Sequence, residues 1–203
     1  RGQKVYVETC PQYLLMDDSL YELPGFESAK YVCAPPLRKK EDQDCLWKGL
    51  ADGTIQTVST DHCSFTTEQK KLGEGDFTIP GGMPGAETRG TLIYTYGVDK
   101  GRITKEDMCR VLSENPAKLY GLYPRKGVIA PGSDADLVIM RTGVEDVITA
   151  KDQVQNVDYA PFEGTKVTGR VESVFLRGLQ AVKDGKVVEE KKGEFLKRGK
   201  YAL

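Results

Sequence analysis

Residues 54–62 read Thr54-Ile55-Gln56-Thr57-Val58-Ser59-Thr60-Asp61-His62, a run rich in β-branched residues that closes on two chemically capable side chains. Such side chains fit a pleated, half-buried surface, so the run predicts a strand. Just upstream, Leu46, Trp47 and Leu50 recur at helical spacing within 41–52, and Asp52-Gly53 supplies a stop. A helix leading into such a strand is the rhythm of an α/β architecture with a parallel sheet. In α/β barrels catalytic groups project from the C-terminal ends of strands, which is where Asp61 and His62 stand.

Working outward, residues 4–10 (Lys4 to Cys10) form a second β-rich run ended by Pro11. Residues 12–28 predict loop and short helix, and Lys30-Tyr31-Val32-Cys33 a short extended segment stopped by Pro35-Pro36. Residues 66–90 read as one long glycine- and proline-rich loop, a length usually tied to function or disorder. Residues 91–97 look helical, Thr104 with Asp107 proposes a capping box, and Asn115-Pro116 an N-cap with proline at the first helical position. From Lys126 the pattern changes to short strands: Val128-Ile129, Leu137 to Met140, Val171 to Leu176, and Ala181-Val182 with Val187-Val188 around an Asp184-Gly185 turn. The expected organisation is an α/β unit over 1–125, β-sandwich strands over 126–189, and a charged tail over 190–203 anchored only by Phe195-Leu196.

Composition narrows the chemistry. Lys+Arg (29) nearly balance Asp+Glu (30) in 203 residues, which gives no reason to expect nucleic acid or an anionic membrane as partner. No apolar run approaches the roughly 20 residues of a membrane span. The cysteines at 10, 33, 45, 63 and 109 are odd in number and lack CxxC spacing, the pattern of reduced, cytoplasmic thiols. A catalytic zinc site usually takes three protein ligands, often His-rich, and the only histidine here is His62. Metal chemistry must therefore draw ligands from outside these residues. The β-rich start, with no preceding cap or loop, reads as a chain entered in mid-domain.

Four segments stand in order: Glu8-Thr9-Cys10-Pro11-Gln12-Tyr13-Leu14; Ala34-Pro35-Pro36-Leu37-Arg38; Ser59-Thr60-Asp61-His62-Cys63-Ser64-Phe65; and Gly127 through Val138. With Asn115-Pro116-Ala117-Lys118 they resemble the C-terminal portion of the dihydropyrimidinase/D-hydantoinase family of cyclic amidohydrolases. The Gly-Ser-Asp-Ala-Asp-Leu-Val segment recurs across the wider superfamily, whereas the Cys-Pro-Gln-Tyr-Leu and Asp-His-Cys-Ser-Phe segments are narrower.

The resemblance implies a (β/α)8 barrel with a β-sandwich assembled from both chain ends. It implies two zinc ions (Zn2+) held by four histidines, one aspartate and a carboxylated lysine. It also implies hydrolysis of a hydantoin or dihydropyrimidine ring to an N-carbamoyl amino acid, and a homotetramer in which the tail packs on a neighbouring subunit. Only Asp61 carries over as a metal ligand and as the group that moves the proton. Ala34 and Gly81 stand where many hydantoinases carry Ser and Asn, positions that hold the ring through main-chain groups. Taken alone, Asp61 is also compatible with a helix cap or loop carboxylate, and 79–85 with a plain connection. His62, expected on the opposite strand face, reads as structural, Cys33 and Cys63 as small buried groups, and Asp134 and Asp136 as turn residues entering a strand. A non-catalytic dihydropyrimidinase-related assembly protein and an allantoinase- or dihydroorotase-like enzyme are the competing readings.

Overall fold

The computed structural model describes residues 2–73, 78–188 and 193–203. The expectations touching Arg1, the middle of the 66–90 loop (74–77) and residues 189–192 lie outside the described residues.

The α/β unit is built on two short parallel strands, β1 (Glu8–Thr9) and β2 (Thr57–Val58), with Glu8 opposite Thr57 and Thr9 opposite Val58. The ladder is shorter than the predicted 4–10 and 54–60. Ahead of β1, Val5, Tyr6 and Val7 are exposed. Val7 still bonds Gln56, its carbonyl accepting the Gln56 N–H at 3.0 Å and its N–H donating to Gln56 Oε1 at 2.7 Å, so the side chain of Gln56 takes the place of a regular ladder bond. Pro11 does not merely stop the strand: it opens α1 (Pro11–Leu15), where its missing N–H costs nothing. The extended segment predicted at 30–33 is instead a 3-10 turn through Tyr31.

Helix α2 (Lys40–Asp52) follows the predicted spacing and ends at Gly53, whose φ of +83° is the left-handed conformation of a helix stop. Its Trp47 and Leu50 join Leu14, Ile55, Val58, Ile93, Ile103 and Val111 in one core cluster. Full burial of a leucine such as Leu50 contributes about 1.5–3 kcal/mol. The Trp47 indole N–H donates to the Leu14 carbonyl at 3.2 Å, so the polar edge of the largest core ring is satisfied.

The 66–90 stretch is not one structureless loop. Thr66 caps α3 (Thr67–Lys71) in a capping box with Gln69, and α4 begins at Arg89 (Arg89–Ile93) before running into a π-turn over Tyr94–Val98. Helix α5 (Lys105–Cys109) carries the predicted Thr104–Asp107 capping box. Asn115, however, is not an N-cap. The helix continues through a π-turn (Arg110–Glu114) into α6 (Asn115–Leu119), where Asn115 is helical and buried. The wider π-turn absorbs Pro116, whose ring conflicts with a regular α-turn.

The second unit is one antiparallel sheet, in order β3 (Leu137–Val147), β4 (Lys166–Leu176), β5 (Leu179–Lys183), β6 (Lys186–Val187). Asp184 (φ +49°) and Gly185 (φ +73°) close the predicted hairpin with the paired positive φ angles of a type I′ turn. Val128-Ile129 is not a strand; Ile129 has no partner strand and lies exposed. The sheet packs on α4 and the turn that follows it. Thr168 N–H donates to Thr95 Oγ1 at 3.1 Å, and a Cβ on Gly169 would fall 2.4 Å from the Tyr94 ring, so only glycine fits there. Of the expected tail anchor, Phe195 is exposed while Leu196 is half-buried, and the chain end is further held by Gly199 N–H on the Gly121 carbonyl and Ala202 N–H on the Lys118 carbonyl. Among the described residues no helix is long and apolar enough to cross a membrane.

Candidate active site

Asp61 follows β2 and takes φ +47°, a left-handed conformation that Asp tolerates better than most residues and that clusters at functional sites. This breaks the strand alternation, so the expected opposition of Asp61 and His62 across a strand does not apply. The Asp61 side chain is exposed.

Three segments converge around this strand end through main-chain bonds. Cys63 N–H donates to the Met83 carbonyl at 3.0 Å, next to a parallel bridge between His62 and Met83. Gly82 N–H donates to the Val32 carbonyl at 2.8 Å. Gly81 stands with its missing Cβ 3.9 Å from the Cys33 Cα, and Gly82 could not carry one at all, because it would meet the Cys63 Cβ at 2.4 Å. The stretches bearing Ala34, Asp61 and Gly81 are therefore knitted into one cluster of backbone, although they are distant in sequence.

His62 has a defined task in this cluster. Its Nδ1 accepts the N–H groups of Gly85 (3.0 Å) and Ala86 (3.2 Å), which places the proton of the neutral ring on Nε2 and holds the end of the glycine-rich turn. The structural reading of His62 fits this geometry.

Several residues to which the sequence reading assigned no role support the strand end. Gln12 is buried and donates from Nε2 to the Thr60 carbonyl at 3.2 Å; Arg89 donates from Nη1 to the Val58 carbonyl at 3.2 Å. Tyr13 donates its hydroxyl to the Pro35 carbonyl at 3.0 Å. Lys70 is fully buried and donates to the Pro80 carbonyl at 2.9 Å, immediately before Gly81; burial pushes its ammonium pKa down. Gln12 and Tyr13 lie inside a quoted motif, but nothing local marks Arg89 or Lys70, because their partners are 31 and 10 residues away. Burial likewise raises the thiol pKa of Cys33, more than offsetting its contacts with the Tyr21 and Tyr13 hydroxyls.

Asp134 and Asp136 do not form a metal pair. Asp134 bonds Arg125 at 2.9 Å and Lys126 at 2.8 Å, while Asp136 pairs with Lys126 and accepts the Arg177 N–H at 2.8 Å. Among the described residues no group of three or more His, Cys, Asp or Glu is arranged to hold a metal ion.

The profile of the Amidohydrolase family matches residues 16–188. The chain is 50% identical to a D-hydantoinase of Geobacillus stearothermophilus over 99% of its own length and 43% of that protein. A crystal structure of D-hydantoinase superposes with a TM-score of 0.96 at 49% identity, covering 100% of this chain and 45% of that one. A dihydropyrimidinase from Brevibacillus agri superposes at 0.90 with 48% identity, over 92% of this chain and 41% of that one. The chain thus spans less than half the length of these relatives. With a matched profile over most of its residues and close likeness along nearly all of them, the chain belongs to the amidohydrolase family, in its dihydropyrimidinase and hydantoinase branch.

Proposed function

We propose that this chain is the C-terminal portion of a hydrolase that opens a cyclic amide, a hydantoin or dihydropyrimidine ring, to an N-carbamoyl amino acid. The observation that carries the reading is the convergence of the Ala34, Asp61 and Gly81 segments at one strand end. On this reading residues 1–125 are the last strands and helices of a (β/α)8 barrel, 126–189 the C-terminal share of a β-sandwich, and 190–203 a subunit contact in a cytoplasmic homotetramer.

An exposed carboxylate at a strand end fits one ligand of a metal site completed elsewhere, and among the described residues no set of His, Cys, Asp and Glu could hold the ion by itself. Two zinc ions, if bound there with upstream histidines and a carboxylated lysine, would polarise the ring carbonyl and lower the pKa of water. Asp61 would be their ligand from this chain. During attack on the carbonyl, its carboxylate accepts the proton released by the nucleophilic water and delivers it to the ring nitrogen as the C–N bond breaks. Exposed main-chain groups near Ala34 and Gly81 bind the ring's amide edge, so Ala and Gly at those positions preserve binding while enlarging the pocket.

The test is turnover. With zinc present, the full-length protein opens hydantoin or dihydrouracil, Asp61→Asn loses roughly 10²–10⁴-fold in kcat, and the isolated 203 residues are inactive. Turnover by the isolated chain, an active Asp61→Asn protein, or hydrolysis confined to allantoin or dihydroorotate would overturn the reading.

A further inference from the structure

One segment of the second unit contacts the helix before the turn that carries Gly81, the turn itself, and the residue that follows it. Ahead of the turn, Asp158 Oδ1 accepts the N–H of Thr67 at 2.9 Å; Thr67 is the first residue of α3, whose Lys70 in turn donates to the Pro80 carbonyl beside Gly81. In the middle, Met83 packs in the same buried cluster as Ala160 and Phe162. At the exit, the Glu87 carboxylate accepts Val154 N–H at 3.0 and 3.2 Å and Gln155 N–H at 3.4 Å. The exchange is reciprocal: each unit offers one carboxylate to backbone donors of the other. Hydrogen bonds to a charged acceptor are stronger than neutral ones, and here they satisfy N–H groups that no sheet ladder uses. Burial raises the Asp158 carboxyl pKa, but the bonds from Thr67 and the Lys30 charge outweigh it and hold the group below the ordinary carboxylate range.

We propose that residues 154–162 form a strap that sets the position of the Gly81–Met83 turn, and that Glu87 and Asp158 are positioning residues for substrate binding. Neither side chain touches the ring. They act through the turn, whose glycines leave its backbone permissive, and add a second side of support to the bonds it makes with Val32, Cys63, Lys70 and His62. The role in substrate binding rests on the hydrolase reading above; the fastening of the turn does not.

The experiment uses the full-length protein with four single variants: Glu87→Ala, Glu87→Gln, Asp158→Ala and Asp158→Asn. Hydrogen exchange is followed at the amides of residues 79–86, with those of α2 as internal reference. In the alanine variants exchange at 79–86 rises roughly tenfold, the scale expected for losing a charge-assisted hydrogen bond, while α2 is unchanged. KM for the cyclic amide rises by a similar factor with kcat nearly constant, and Gln or Asn, which keep an acceptor oxygen, restore most of both. Unchanged exchange at 79–86 overturns the strap, as does a rise shared equally by α2. Raised exchange with unchanged KM overturns the positioning role. A wild-type protein that opens no cyclic amide overturns the hydrolase reading and with it the role in substrate binding, while the exchange data still decide the strap.

Discussion

Asp61 and its neighbours show how much of a site is decided one residue at a time. The strand that presents Asp61, and the polar strand end itself, are legible in 54–62, because β-branched runs and their terminators act locally. The capture of His62 Nδ1 by Gly85 and Ala86 is not, because it depends on a turn over twenty residues away, and the strand pattern of 54–60 does not announce the left-handed backbone at Asp61. Cys10 makes the same point chemically. Desolvation pushes its thiol up to about 11, against the lowering effect of a hydrogen bond with Ser59. A raised thiol pKa means that the nucleophilic thiolate is scarce below that pH. At pH 8 iodoacetamide therefore modifies the exposed Cys45 and Cys109 in the folded protein, and Cys10 only after denaturation. Mass spectrometry of timed samples checks this; equal labelling of Cys10 and Cys45 would contradict it.

Elements with local punctuation are the readable ones. Helix α2, the Thr104 capping box and the Asp184-Gly185 hairpin all follow from residues within a few positions of one another. Asn115-Pro116 shows where that logic fails. The pair is a plausible helix start, yet tertiary packing runs one helix through it by way of a π-turn. The Asn115 side chain, freed from capping, donates from Nδ2 to the Gln56 carbonyl at 2.8 Å, fastening the helix to the entrance of β2. Asn115→Ala removes a buried amide and leaves the half-buried Gln56 carbonyl without this donor, and is expected to cost about 1 kcal/mol. Urea unfolding measures it; a loss under about 0.5 kcal/mol would mean that the bond is dispensable.

Over the whole molecule, an α/β unit and an antiparallel sheet are bound together through Gly169 against Tyr94, Thr168 on Thr95, and the carboxylate exchange at Glu87 and Asp158. The opposite side is less complete. Ahead of β1, Val5, Tyr6 and Val7 stand exposed, with Val5 at 72% exposure, and β1 pairs with β2 on one side only, which leaves a strand edge that is a template for association. The isolated 203 residues should therefore associate with concentration or lose structure. Sedimentation analysis from low to high micromolar concentration, paired with circular dichroism, checks this. A folded monomer throughout would refute it.

The sequence by itself determined the α/β-then-β order, the principal helix, the hairpin, the family likeness, and Asp61 as the residue of interest. All of these rest on periodicity, turn chemistry and motifs carried by near neighbours. Only the tertiary structure decided that Asp61 leaves the strand in a left-handed turn, that His62 takes Gly85 and Ala86 as its partners, and that Gln12, Arg89 and Lys70 serve as supports. It also decided that residues 154–162 of the second unit meet Thr67, Met83 and Glu87 around the Gly81 turn. Those arrangements are made by hydrogen bonds and packing between segments 10 to 91 residues apart, whose pairing is set by the folded chain and not by the local pattern of either partner.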